Sequence, residues 1–202
     1  NAAVKDGKQA LGNPFFGAEK RLAPAESYVR ISDEVIYDAG EIVYPSIIMV
    51  YHPDVILMGK SYTMPFFSGI KRDGVILVNS PKDIEFTVEE SERLRELNVA
   101  LHFFPATSIS REVTGSELST NVAMLGALLG FTGIVTYESL AEALMDRFGG
   151  KTKFVASGTT AVLDEAVRKQ YGKKEKLIAA NAEVLQKSYD MALAAVSAGA
   201  SA

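Results

Sequence analysis

The sequence predicts an α/β fold, a three-layer arrangement with a mostly parallel sheet flanked by helices. Three observations carry this. Short apolar runs at 55–58, 75–78 and 99–104, rich in Val, Ile, Leu and aromatics, lack strict alternation and are bounded by turn signals, as suits strands buried on both faces. A helical pattern separates the second run from the third. Parallel strands need such a crossover, which an antiparallel hairpin does not.

Taken in order, the first elements are the least regular. Asn1 opens a short polar stretch, Lys5-Asp6-Gly7-Lys8, and the chain reads as if it began inside a domain. Segments 27–32 and 34–38 alternate loosely around Asp33-Glu34 and predict a hairpin. His52-Pro53 lead into the run at 55–58, read as a strand, and Asp73-Gly74 is a turn dipeptide before 75–78. Thr87 with Glu90 three residues on is a capping box for the crossover helix that precedes 99–104.

The second half is helical. Residues 121–130 are apolar and small on every side, as expected of a helix buried all round, with the Asn121 amide satisfied by backbone or a neighbouring loop. Thr136 caps a helix with Leu140, Leu144 and Phe148 on one face, stopped by Gly149-Gly150. A further helix spans about 160–171 and ends at Gly172. The last runs from Lys174, with Leu177, Val184 and Tyr189 on one face, and fades into a frayed Ala/Ser/Gly tail. The organisation expected is one domain over residues 1–202, with a helical C-terminal part at about 136–196 and a flexible tail.

Composition narrows the chemistry. With 202 residues, 48% hydrophobic and 23% charged, the chain can bury one substantial core. A net charge of −4 with scattered basic residues gives no footprint for nucleic acid. The absence of cysteine removes thiolate nucleophiles and cysteine-ligated clusters from this stretch. No apolar run reaches the roughly 20 residues that span a bilayer, so a soluble, cytoplasmic protein is expected. There is no G-x-G-x-x-G turn, P-loop or G-x-S-x-G elbow. His52 and His102 stand alone, without a second ligand at metal-binding spacing, and read as structural or surface histidines.

One stretch stands apart: Asn13-Pro14-Phe15-Phe16-Gly17-Ala18-Glu19-Lys20-Arg21-Leu22-Ala23-Pro24. Proline and glycine predict a loop. Within it Phe15 and Phe16 are apolar anchors beside Glu19 and Arg21, and a guanidinium can grip a carboxylate or phosphate in bidentate fashion. The plainer reading is a connection whose phenylalanines plug the core and whose charges pair at the surface.

That stretch, from Pro14 to Pro24, resembles the hallmark of the gamma subunits, or gamma domains, of pyruvate and related 2-oxoacid:ferredoxin oxidoreductases. Agreeing segments follow in order: His52-Pro53-Asp54-Val55, then 73–79, Pro105-Ala106-Thr107, 121–127, Thr132-Gly133 and Glu138-Ser139-Leu140. Two departures stand out. The opening strand and glycine-rich loop usual in the family have no counterpart, and Leu22 replaces a glycine common in pyruvate enzymes.

The resemblance implies a subunit of a complex that oxidatively decarboxylates a 2-oxoacid, with no complete active site in this chain. No catalytic or metal-binding residue is assigned to it. Thiamine diphosphate, Mg2+ and [4Fe-4S] clusters are expected on partner alpha, beta and delta (ferredoxin-like) subunits. Coenzyme A is the expected co-substrate and ferredoxin the electron acceptor; neither nucleic acid nor membrane is expected as a partner. Phe15, Phe16, Gly17, Glu19, Arg21 and Asn121 are the candidates for the interface or coenzyme A side. Other 2-oxoacids (phenylglyoxylate, 2-oxoglutarate, oxalate) and a stand-alone nucleotide-binding α/β oxidoreductase are the alternatives.

Overall fold

The computed structural model describes residues 1–16, 25–61, 64–149 and 161–199, with side chains at all of these except 16, 149, 161–174 and 199. The chain divides into two compact units, one of residues 7–108 and one of residues 1–6 with 109–202.

The 7–108 unit holds both sheets. β1 (Gln9–Phe16) and β2 (Ala25–Ser32) form an antiparallel ribbon. β3 (Ile47–Val50), β4 (Val75–Asn79) and β5 (Ala100–Phe104) form a parallel sheet in that order. α2 (Asp54–Leu57) lies between β3 and β4 in sequence, and α3 (Val88–Glu96) between β4 and β5. Register places Ile48 and Val50 beside Ile76 and Val78, and these beside Leu101 and Phe103, so one sheet face is a continuous aliphatic and aromatic layer. Leu94 of α3, Val55 and Ile56 of α2, and Phe66, Phe67 and Ile70 pack on that layer. Phe66 and Phe67 meet edge to face at 5.3 Å, and Phe66 stacks on Phe86 at 6.1 Å.

The expected α/β fold with a parallel sheet and helical crossovers is present, with the strands at 75–78 and 99–104 near their expected bounds. The run at 55–58 is a correction: it is the helix α2, and the first parallel strand is 47–50. Pro53, with φ −62°, and Asp54 in the first turn favour a helix start, and a four-residue apolar run has too little periodicity to separate the two states. His52 serves that start, its Nδ1 accepting the Asp54 amide at 3.2 Å. The expected 27–32/34–38 hairpin is also corrected, because β2 pairs with β1, and 33–46 is an irregular strap. Likewise Asn13, Pro14, Phe15 and Phe16 belong to β1 rather than to a loop; in a two-stranded ribbon the missing proline N–H can face outward.

The capping box forms as expected: Thr87 Oγ1 accepts the Glu90 amide at 3.2 Å, and Glu90 Oε2 accepts the Thr87 amide at 3.0 Å. Asp73 and Asn98, the residues entering β4 and β5, adopt positive φ (60° and 52°) and are joined by an Asn98 Nδ2–Asp73 Oδ1 hydrogen bond of 2.7 Å. Such a bond offsets part of the cost of the left-handed conformation.

In the other unit, α1 (Ala2–Lys5) packs on α6 (Tyr137–Gly149), and α5 (Thr120–Thr132) lies against α7 (Ala161–Gly199). α4 (Ala106–Thr114) contains the boundary between the units. Asp6 fixes the start of α6, accepting the Thr136 amide and hydroxyl at 2.7 Å each, while Lys5 pairs with Glu142 and Asp146 at 2.6 and 2.9 Å. Thr136 Oγ1 accepts the Ser139 amide, the expected cap.

α5 is buried on most faces, as its composition predicts. The two helices approach closely because Gly126 and Gly130 face α7: a Cβ at Gly126 would lie 2.7 Å from the Leu185 carbonyl oxygen, and one at Gly130 2.6 Å from the Ala192 Cβ. α7 corrects two expectations. It passes through Gly172 without a break, and its buried face is Asn181, Val184, Leu185, Ser188 and Ala192 while Leu177 is exposed; the helix runs to Gly199, and residues 200–202 of the expected tail lie outside the described residues. Glycine inside a helix costs only about 1 kcal/mol relative to alanine, which packing of this face against α5 outweighs.

Candidate functional site

The hallmark stretch begins on the ribbon. Directly paired residues of antiparallel strands share a face, so Leu11, Asn13 and Phe15 lie with Arg30, Tyr28 and Glu26. Phe15 stands opposite Glu26 and is 40% exposed, and Phe16 closes β1. Gly17, Glu19 and Arg21 lie outside the described residues. Asn121 sits in the first turn of α5 and is exposed, so water can serve its amide and no protein partner is required; it belongs to the other unit. Of the six candidates, the described residues thus place Phe15 and Phe16 as consecutive residues of β1 and Asn121 on α5.

The polar part of this face is a network that the sequence did not single out. Glu26 accepts the Tyr28 hydroxyl at 2.9 Å through Oε2 and the Ser61 hydroxyl at 3.2 Å through Oε1. Partial burial, then the hydrogen bond to the Glu26 carboxylate, pushes the Tyr28 phenol up to about 12. Arg30 donates through Nη1 to the Gly40 carbonyl (2.6 Å) and through Nη2 to the Asp38 carboxylate (2.8 Å) and the Glu41 carbonyl (3.0 Å). Asn13 Nδ2 adds a bond to the Ala39 carbonyl at 3.0 Å. The bond from the Gly40 amide to Asp38 Oδ1, then the charge of Arg30, hold the Asp38 carboxyl below its usual range. The only sequence signal for Arg30 was a lone cation in an alternating strand; nothing marked its targets on the strap.

A second polar cluster lies at the carboxyl ends of the parallel strands, where open α/β sheets generally place their ligands. Asn79, buried at the end of β4, donates to the Tyr51 carbonyl at 2.9 Å and to Thr107 Oγ1 at 2.8 Å, and accepts the Thr107 amide at 3.1 Å. It ties the ends of β3 and β4 to the start of α4, the Pro105-Ala106-Thr107 segment. His102, half-buried on β5, is held toward its neutral form by desolvation. Among the described residues no group of three or more His, Cys, Asp or Glu side chains is arranged to hold a metal ion, and no helix is long and apolar enough to cross a membrane.

The ordered motifs and this α/β unit agree with a comparison of the whole sequence against protein families. The pyruvate ferredoxin/flavodoxin oxidoreductase family matches residues 1–162. The chain belongs to that family. Among relatives in it, the pyruvate/ketoisovalerate oxidoreductases common subunit gamma of Thermococcus kodakarensis is 35% identical over 150 residues, 74% of this chain and 76% of that one. The pyruvate synthase subunit PorC of Methanothermobacter marburgensis is 37% identical over 153 residues, again 74% and 76% of the two chains. Of solved structures, the pyruvate oxidoreductase subunit PORC of Thermotoga maritima superposes with a TM-score of 0.63 at 24% identity, covering 94% of this chain and 83% of that one. At that identity the likeness establishes the fold, and it is the α/β fold expected for a pyruvate ferredoxin/flavodoxin oxidoreductase family member.

Proposed function

We propose that this chain is the gamma subunit of a 2-oxoacid:ferredoxin oxidoreductase complex, which oxidatively decarboxylates pyruvate or a related 2-oxoacid to acyl-coenzyme A and CO2 and passes the electrons to ferredoxin. The observation that carries this is the 33–37% identity, over about three quarters of both chains, to relatives named as gamma or PorC subunits. On this reading thiamine diphosphate, Mg2+ and [4Fe-4S] clusters reside on alpha, beta and delta partners in the cytoplasm, and this chain supplies a wall of the assembled site. The name of the Thermococcus relative, a subunit common to pyruvate and ketoisovalerate oxidoreductases, supports a second reading in which one gamma chain serves complexes for different 2-oxoacids.

The candidate residues fit an accessory role. Phe15, Phe16, Gly17, Glu19 and Arg21 would lie against a partner subunit or coenzyme A, with Asn121 contributing from α5. An aromatic pair with a nearby arginine has the composition of an interface anchor. The test is Arg21→Ala in the reconstituted complex across a coenzyme A titration. The expected result is weaker assembly or a several-fold higher coenzyme A requirement, with the isolated subunit still folded. An exposed ion pair alone contributes at most about 1 kcal/mol, so wild-type behaviour throughout would remove Arg21 from the functional account.

A further inference from the structure

The strap at 33–46 has no regular secondary structure, yet it is held at both ends and along its middle. At its start the Glu34 amide is accepted by Ser32 Oγ at 3.0 Å, and Lys8 pairs with Asp33 at 3.3 Å. In the middle Arg30 and Asn13 grip three successive carbonyls, those of Ala39, Gly40 and Glu41. At the far end the Pro45 and Ser46 carbonyls accept the Lys71 and Val75 amides at 2.9 Å each, and the Val43 carbonyl lies over Gly69, where a Cβ would be only 2.0 Å away. Gly69 also has φ +77°, a conformation that L side chains avoid.

What this fixed strap displays is unusual for a surface facing only water. Val35, Tyr37, Val43 and Tyr44 are all exposed, Tyr37 to 92%. Around them stand Asp33, Glu34, Asp38 and Glu41, and residues 33–46 contain no Lys, Arg or His. Lys8 and Arg30 engage Asp33 and Asp38, whereas Glu34 and Glu41 are exposed and form no ion pair among the described residues. Rigid tyrosines on a pre-ordered backbone bind with little further loss of conformational entropy.

We propose that residues 33–46 are a docking surface for a partner protein chain of the complex that presents cationic groups around an apolar patch. This rests on the subunit reading above and names the chemistry of the partner. A second copy of this chain is a poor occupant, because a two-fold contact would set the same carboxylates against each other. An anionic lipid surface or a nucleic acid meets the same repulsion.

The test uses the full chain, tagged and co-expressed with the complete set of subunits, and measures the partner subunits retained at low and high salt. Tyr37→Ala with Tyr44→Ala should weaken retention at least about tenfold, the scale on which interface aromatics act. These side chains are exposed, so folding, checked by circular dichroism, should be unchanged. Glu34→Lys with Glu41→Lys should weaken retention chiefly at low salt, where charge attraction is least screened. Gly69→Ala, which displaces the Val43 backbone and with it the setting of Tyr44 without changing any strap residue, should weaken it as well. Wild-type retention by both the tyrosine and the charge-reversal variants would overturn the proposal. So would strap-dependent self-association of the chain in place of partner binding. If wild-type chain retains no partner subunit at all, the subunit reading itself fails, an outcome distinct from a strap variant that assembles normally.

Discussion

Tyr28 is a group at which a single side chain reports the state of the ribbon. Its phenol is raised to about 12 by partial burial and by donation to Glu26, which favours the neutral form in the folded chain. The stabilisation from this contact is therefore complete below pH 10, the ordinary phenol value, and is lost as pH rises through about 12. Ultraviolet difference titration of wild type against Tyr28→Phe should lose one ionisation with a midpoint of about 12, whereas loss of one near 10 would mean that neither the burial of Tyr28 nor its Glu26 contact is present in solution. Arg30 illustrates what a sequence conceals at this scale. Its three partners are two backbone carbonyls and one carboxylate 8 to 11 residues away, and backbone acceptors carry no residue-type signal. Phe15 and Phe16 stood out by their composition, but the strand that carries them was hidden by Pro14, whose usual meaning is a turn.

At the scale of elements, the helix pair α5/α7 depends on the absence of two side chains. Alanine in place of Gly126 would gain up to about 1 kcal/mol of helix propensity. Its Cβ, however, would press on Leu185 backbone at 2.7 Å and the Ser188 Cβ at 2.9 Å, and overpacking of this kind costs about 1 to 3 kcal/mol. Gly126→Ala should accordingly destabilise in urea unfolding. The fully buried Ser188 hydroxyl has no hydrogen-bond partner among the described residues, so Ser188→Ala removes an unsatisfied group and should leave stability equal or higher. The reverse order of the two variants would show that the helices pack differently. The capping box gives a second element-level outcome: Thr87→Ala removes the acceptor for the Glu90 amide and should cost about 1 kcal/mol, read as a lower thermal midpoint of the 7–108 unit. Elements with specific local chemistry were the ones the sequence disclosed, as with the Thr87 box, the Thr136 cap and the all-apolar α5. Short apolar runs were disclosed as strands at 75–78 and 99–104 but not told apart at 47–50 and 55–58. Residues 47–50 and 55–58 are equally hydrophobic, and the pairing of 47–50 with β4 in the folded sheet, which no local pattern records, decides which is the strand. Gly172 misled for a similar reason, since a helix stop is set by backbone conformation and by what packs beyond it, and here α7 continues along α5.

For the whole molecule, family membership rests on agreement between ordered motifs and 35–37% identity across three quarters of the chain, and the proposed role as a subunit follows from the names of those relatives. The fold class was legible because parallel strands separated by capped helices leave a pattern in a single sequence. The site was less so: candidates Gly17, Glu19 and Arg21 lie outside the described residues, while the strap with its tyrosines and carboxylates emerged only once Arg30 was seen to hold it. The most direct measurement is purification of the full-length tagged chain from its native cells at low salt, followed by subunit identification and a pyruvate-dependent ferredoxin reduction assay with coenzyme A. The account predicts co-purification with thiamine diphosphate-containing and iron–sulfur subunits and activity that requires all of them. A monomer without partners, or turnover by this chain alone, would contradict it.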